Sequence, residues 1–142
     1  MNIRLLSVCA LIAAFIVPLQ ARPDDAVKAV YHLNQGNDNA TAALRNIRNH
    51  LEADPKAVIQ VVTHGPGIDF LLQGTKDKNG GAFANAVEEL SLRGVVFKVC
   101  RNTLQTRDIP ESRVLPDAKV GPSGIAEIAR LQAREGYVYV KP

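Results

Sequence analysis

The sequence predicts an α/β domain: a sheet of parallel strands with helices on both faces. Three observations point to it. Short apolar, β-branched runs alternate with segments of helical spacing from Lys28 to the C-terminus, the pattern of parallel strands joined by crossover connections. The runs are nearly continuous in apolar residues, Val58–Thr63 (VIQVVT) most clearly, as in strands buried on both faces. The 142 residues, 46% hydrophobic and 22% charged, suit one soluble domain. Without tryptophan and with 5% aromatics, the core must come mainly from Val, Ile, Leu and Ala.

Taken in order, 28–33 (KAVYHL) reads as the first strand. Asn39 can cap a helix running to Ala53, with Leu44, Ile47 and Leu51 on one face. Asp54-Pro55 stops it, and 58–63 is the second strand. Gly65-Pro66-Gly67 turns the chain, 68–73 makes one or two helical turns, and 74–81 (GTKDKNGG) is a flexible polar loop. A helix over 83–92 closes on Gly94, which suits a left-handed cap. The third strand is 95–99, and 102–107 is a short helix. The stretch 109–116 is irregular, and 118–120 is a brief fourth strand. Ser123 caps a last helix over 125–134, whose Glu127 and Arg134 complement the helix dipole. Gly136 ends it, and 137–140 is the fifth strand. There is no repeat and no internal domain boundary.

The first 21 residues read differently. A charged start ending at Arg4 precedes an apolar run over 5–17, closed by Pro18 and followed by the small residue Ala21. This is the layout of a secretory signal peptide, and the run falls short of the roughly 20 residues of a membrane span. The expected mature chain is thus one domain over 22–142, periplasmic or secreted and free of the membrane. Loss of Arg4 reduces the 17 basic residues to 16 against 14 acidic ones, a net charge of +2. So weak and dispersed an excess makes no basic stripe for nucleic acid. Cys9 leaves with the signal, so Cys100 stands alone and cannot close an internal disulfide. It is inert and buried, paired with another molecule, or reactive.

Ligands of open parallel sheets bind beyond the carboxyl ends of the strands. The first three strands end at Asn34, at His64-Gly65, and at Cys100-Arg101-Asn102. If these strands are neighbours, Asn34, His64 and Cys100 converge on one edge. Cys100 opens a helical turn, where amide N–H groups stabilise a thiolate, and Arg101 and His64 can add positive charge. A buried cysteine acting as a small hydrophobe is the competing assignment. The Gly65–Gly67 turn can present N–H groups to an anion or serve only as a turn. His32, His50 and His64 lack the short spacing of zinc sites, which leaves His32/His64/Cys100 as the one conceivable metal set; no metal or organic cofactor is expected. Nucleotide-binding glycine motifs and the Gly-x-Ser-x-Gly elbow are absent.

The segments 44–51 (LRNIRNHL), 61–68 (VVTHGPGI), 94–104 (GVVFKVCRNTL), 124–132 (GIAEIARLQ) and 135–142 (EGYVYVKP) resemble the DsrE/DsrF-like family over nearly the whole mature chain. The Cys-x-Asn-Thr-Leu motif at 100–104 and the Glu-Gly-Tyr…Lys-Pro ending resemble one branch of it, here an exported one. The resemblance implies a three-layer α/β/α fold with a five-stranded parallel sheet, layered like flavodoxin and Rossmann folds. It implies homo-oligomers, trimers or hexamers. In several members it implies sulfur transfer through a cysteine persulfide, at the end of a central strand, that passes sulfur between donor and acceptor proteins. Cys100 matches that cysteine, while His64 and Asn102 fall within the branch's motifs. The expected function is sulfane-sulfur handling at Cys100, with Asn34, His64, Gly65, Gly67, Arg101 and Asn102 lining the site. The alternatives are a module binding a small anion at the same edge and a structural homo-oligomer subunit.

Overall fold

A computed structural model describes residues 26–142. The expected signal peptide over 1–21, with Cys9, lies outside the described residues. The elements run β1 (Lys28–Leu33), α1 (Asn37–Ala53), β2 (Val58–Thr63), a 3₁₀ turn (Gly65–Leu71), α2 (Phe83–Leu92), β3 (Val96–Cys100), α3 (Arg101–Thr106), a single 3₁₀ turn (Glu111–Arg113), β4 (Ala118–Gly121), α4 (Gly124–Glu135) and β5 (Val138–Val140).

The five strands among the described residues are all parallel, in the order β4-β3-β2-β1-β5. The chain builds outward from β1 through β4, then crosses back over the sheet with α4 and adds β5 on the free side of β1. The two faces are therefore covered unequally. One face packs Tyr31, Leu33, Ile59, Val61, Phe97 and Val99 against α1 and α2 and the turn at Gly65–Leu71. The other carries Val30 and Val62 under Ile128 and Leu131 of α4. Helices thus lie on both faces, as the sequence predicts.

Local departures have local causes. Helix α1 starts at Asn37 with Gly36 as its cap, three residues before the expected Asn39 cap. The Asn39 amide instead donates to the carbonyl of Pro142, 3.4 Å away. Strand β3 takes in Cys100 because it pairs with Gly121 of β4. The loop over 74–81 folds on Asp77, whose carboxylate accepts the N–H groups of Asn79 and Gly81 at 2.8 and 2.9 Å. It shares a cleft with Thr41, Leu44 and Arg48 of α1. Ser123 caps α4 through the N–H of Ala126, and Gly136 closes that helix at φ +74°.

Candidate functional site at the strand ends

Register builds the site. The last rows of the central strands are Leu33–Thr63 and Thr63–Val99. One residue further on, Asn34, His64 and Cys100 continue the same row, beside Gly121 of β4. Strands β1, β2 and β3 are neighbours, so the three polar residues share one end of the sheet.

The Cys100 thiol lies between two helix starts. Cys100 is the N-cap of α3, and α4 begins beside it at Gly124. A Cβ added to Gly124 would stand 3.0 Å from the Thr63 carbonyl oxygen, 3.3 Å from His64 Cβ and 3.5 Å from Cys100 Cβ. Glycine lets the α4 backbone settle over the two strand ends. Burial pushes the thiol pKa up, since Cys100 is only 5% exposed. The N–H groups of Gly124, Thr103 and Asn102 and the hydroxyl of Thr103 outweigh it together and hold the thiol below its ordinary value. The stabilised species is the thiolate, the nucleophilic form.

Beside it stands a pair of histidines. His32 and His64 meet Nε2 to Nε2 at 2.7 Å, with rings tilted by 31°. On the far side, His32 Nδ1 meets the Tyr139 hydroxyl at 2.7 Å. A contact between two ring nitrogens needs a proton on one and a lone pair on the other. Burial is the main reason His32 is held neutral, its pKa lowered to about 4, with Lys141 and His64 adding to the effect. Burial and then Lys141 lower His64 as well.

The remaining expected residues are placed as follows. Lys141 donates to the Asn34 side-chain oxygen, which sets a positive charge next to the histidines. Gly65, at φ +54°, donates its N–H to the Thr103 hydroxyl at 3.0 Å. Gly67 is required by space: a Cβ there would fall 2.2 Å from the Leu33 carbonyl oxygen, so the turn at Gly65–Leu71 can pack against the end of β1 only without a side chain. Arg101 faces away from this arrangement in its bonding, its Nε donating to Glu111 at 2.6 Å. Asn102 joins His64, Gly65, Thr103, Thr106 and Arg107 around a groove of about 280 Å³. Arg107 is itself tied to Asp69 at 2.6 Å.

From the sequence, His32 reads only as a metal ligand, and Tyr139, Lys141, Thr103 and Gly124 carry no functional signal of their own. One signal was available: His32 lies two residues before Asn34 on an apolar strand, the same parity as His64 and Cys100 on theirs. The third histidine, His50, is satisfied elsewhere, its Nδ1 3.0 Å from the Tyr31 hydroxyl. Among the described residues no three His, Cys, Asp or Glu side chains gather as metal ligands, and no helix is long and apolar enough to cross a membrane.

Comparisons with known proteins agree with this architecture. The model of the DsrE/DsrF-like family matches residues 28–142. Among solved structures, the chain is similar to MTH1491, a protein of unknown function from Methanobacterium thermoautotrophicum, at 26% identity and a TM-score of 0.73, over 82% of this chain and 99% of that one. It is also similar to the ychN protein from E. coli, at 17% identity and a TM-score of 0.69 over the same shares; at that identity the likeness is one of fold. No curated protein matches the chain.

Proposed function

This chain belongs to the DsrE/DsrF-like family, and from that premise we infer that it handles sulfane sulfur through a persulfide on Cys100. One observation carries the reading: the thiol sits at the end of a central strand, ringed by N–H groups of Asn102, Thr103 and Gly124 and by the Thr103 hydroxyl. Such donors stabilise an anionic sulfur, whether thiolate or persulfide. In the step proposed, the Cys100 thiolate attacks the outer sulfur of a donor persulfide. A new S–S bond forms on Cys100, the donor's S–S bond breaks, and the donor leaves as a thiolate with the bonding pair. The sulfur atom moves without net oxidation, so no cofactor is required. Transfer to an acceptor protein repeats the step with roles reversed.

The reading extends to setting. The apolar run over 5–17 supports export, and the exposed side chains of Leu92, Ile125 and Val138 support assembly into the trimer or hexamer that the family resemblance implies. Incubation of the protein with a small-molecule persulfide, followed by intact mass measurement, tests the chemistry. The wild type should gain one sulfur atom and Cys100→Ser none. A wild-type Cys100 that remains open to alkylation yet gains no sulfur overturns the reading.

A second reading is a non-catalytic anion module, favoured by the groove that His64, Asn102 and Thr103 share. It predicts that Cys100→Ala keeps full affinity for sulfite or phosphate. The first reading is preferred because the Gly65 N–H and the Arg107 guanidinium, the groove's obvious anion donors, are already engaged by Thr103 and Asp69.

A further inference from the structure

We propose that Tyr139, His32 and His64 form a proton path that feeds the strand-end groove and protonates the thiolate leaving from Cys100's reaction partner. The proposal rests on the sulfur-transfer reading of Cys100 but concerns residues which that reading does not use.

The geometry is continuous. Tyr139 is on the edge strand β5 and is 44% exposed, so the residue borders solvent. It meets His32 Nδ1 at 2.7 Å, and His32 Nε2 meets His64 Nε2 at 2.7 Å. His64 lines the groove alongside Asn102 and Thr103, two residues that also bond Cys100. Its Nδ1 takes no protein partner among the described residues. His32 is engaged through both nitrogens and His64 through Nε2 with Nδ1 open, an arrangement in which each imidazole can receive a proton on one nitrogen and give one from the other.

The groups around the pair favour transfer over charge storage. Lys141, just past the end of β5, is the cation that acts on both rings. On α4, Glu127 is paired with Lys98 of β3 and with Arg130 and is not among the charges that act on either ring. Burial and Lys141 together disfavour an imidazolium, so a proton entering at one end must leave at the other.

The step balances. The Cys100 thiolate bonds to the sulfur under attack, and the old S–S bond breaks with its pair on the departing thiolate. That thiolate takes the Nδ1 proton of His64. His64 Nε2 takes the proton of His32 Nε2, His32 Nδ1 takes the Tyr139 hydroxyl proton, and a buffer acid restores the tyrosine. Tyr139 and His32 are positioning residues in this scheme, and His64 is the group that meets the reactant.

Leaving-group dependence tests it. A poor alkyl thiolate needs the proton, whereas a good aryl thiolate departs without it. The probes are a dialkyl and a diaryl disulfide reacting with Cys100 of the full chain, followed across pH. In Tyr139→Phe, which keeps the ring, the ratio of alkyl to aryl rate should fall by about tenfold or more, and His32→Gln should do the same. A ratio equal to wild type in Tyr139→Phe overturns the proposal, as does an equal slowing of both probes. Failure of the sulfur-transfer reading shows separately, as a Cys100 that exchanges with disulfides but gains no sulfur from a persulfide. A Cys100 inert to both disulfides overturns the two together.

Discussion

The hydroxyl of Thr103 faces two ways: it accepts the N–H of Gly65 at 3.0 Å and supports the Cys100 sulfur. One rotor therefore ties the β2 turn to the β3 thiol. Thr103→Val keeps the shape and deletes both bonds. Its expected result is a Cys100 pKa moved upward and iodoacetamide alkylation at neutral pH slowed several-fold, since a hydrogen bond to a charged group is worth more than a neutral one. A pH–rate profile of alkylation checks this, and an unchanged profile removes Thr103 from the site. Cys100 and His64 were legible at this scale because each ends an apolar run. Thr103 was not, because a threonine in a short helix carries no chemical signature until its partners are known.

Among the elements, the turn at Gly65–Leu71 and the start of α4 matter most. The turn approaches β1 so closely that Gly67→Ala drives a methyl group into the Leu33 carbonyl, and backbone cannot move aside as a flexible side chain would. We expect a loss of about 1–3 kcal/mol in urea unfolding, the range for overpacking, together with slower Cys100 chemistry as His64 shifts. Stability equal to wild type would mean that the turn lies farther from β1. At α4, Ser123 accepts the Ala126 N–H. Ser123→Ala should cost about 1 kcal/mol, and by loosening the first turn that carries Gly124 it should raise the Cys100 pKa. The caps were readable from residue type and spacing. Why position 67 must be glycine and position 124 is crowded was not, because the atoms that a side chain would meet belong to other segments.

At the scale of the whole molecule, pH separates two contributions to stability. His32 binds its proton only near pH 4 when folded, against an ordinary value of 6.5. Between those values the unfolded chain holds a proton that the folded chain does not. Stability should be full above about 6.5, fall as pH drops toward 4, and level off below. The loss is on the order of 3 kcal/mol, and His64 acts in the same direction. Glu127 works lower down. Arg130 first, and Lys98 with it, hold its carboxyl at about 2 against burial, so its contribution is present above the ordinary carboxylate range and vanishes as pH falls through 2. Denaturation midpoints from pH 8 to pH 2 should show both limbs. His32→Gln should flatten the upper limb and Glu127→Gln the lower; a single limb insensitive to His32→Gln contradicts the assignment.

The sequence by itself determined the element order, the parallel sheet, most helix ends and the candidate thiol. These depend on periodicity, caps and the single cysteine of the expected mature chain, all of which are local. Only the tertiary structure decided that β5 lies beside β1 rather than beyond β4, because α4 carries the chain back across the sheet. That placement brings Tyr139 and Lys141 to His32 over more than a hundred residues of chain. It also sets Gly124 against Cys100. The physical reason is that strand order follows from which face each crossover helix buries, and burial is a property of the folded whole rather than of any one segment.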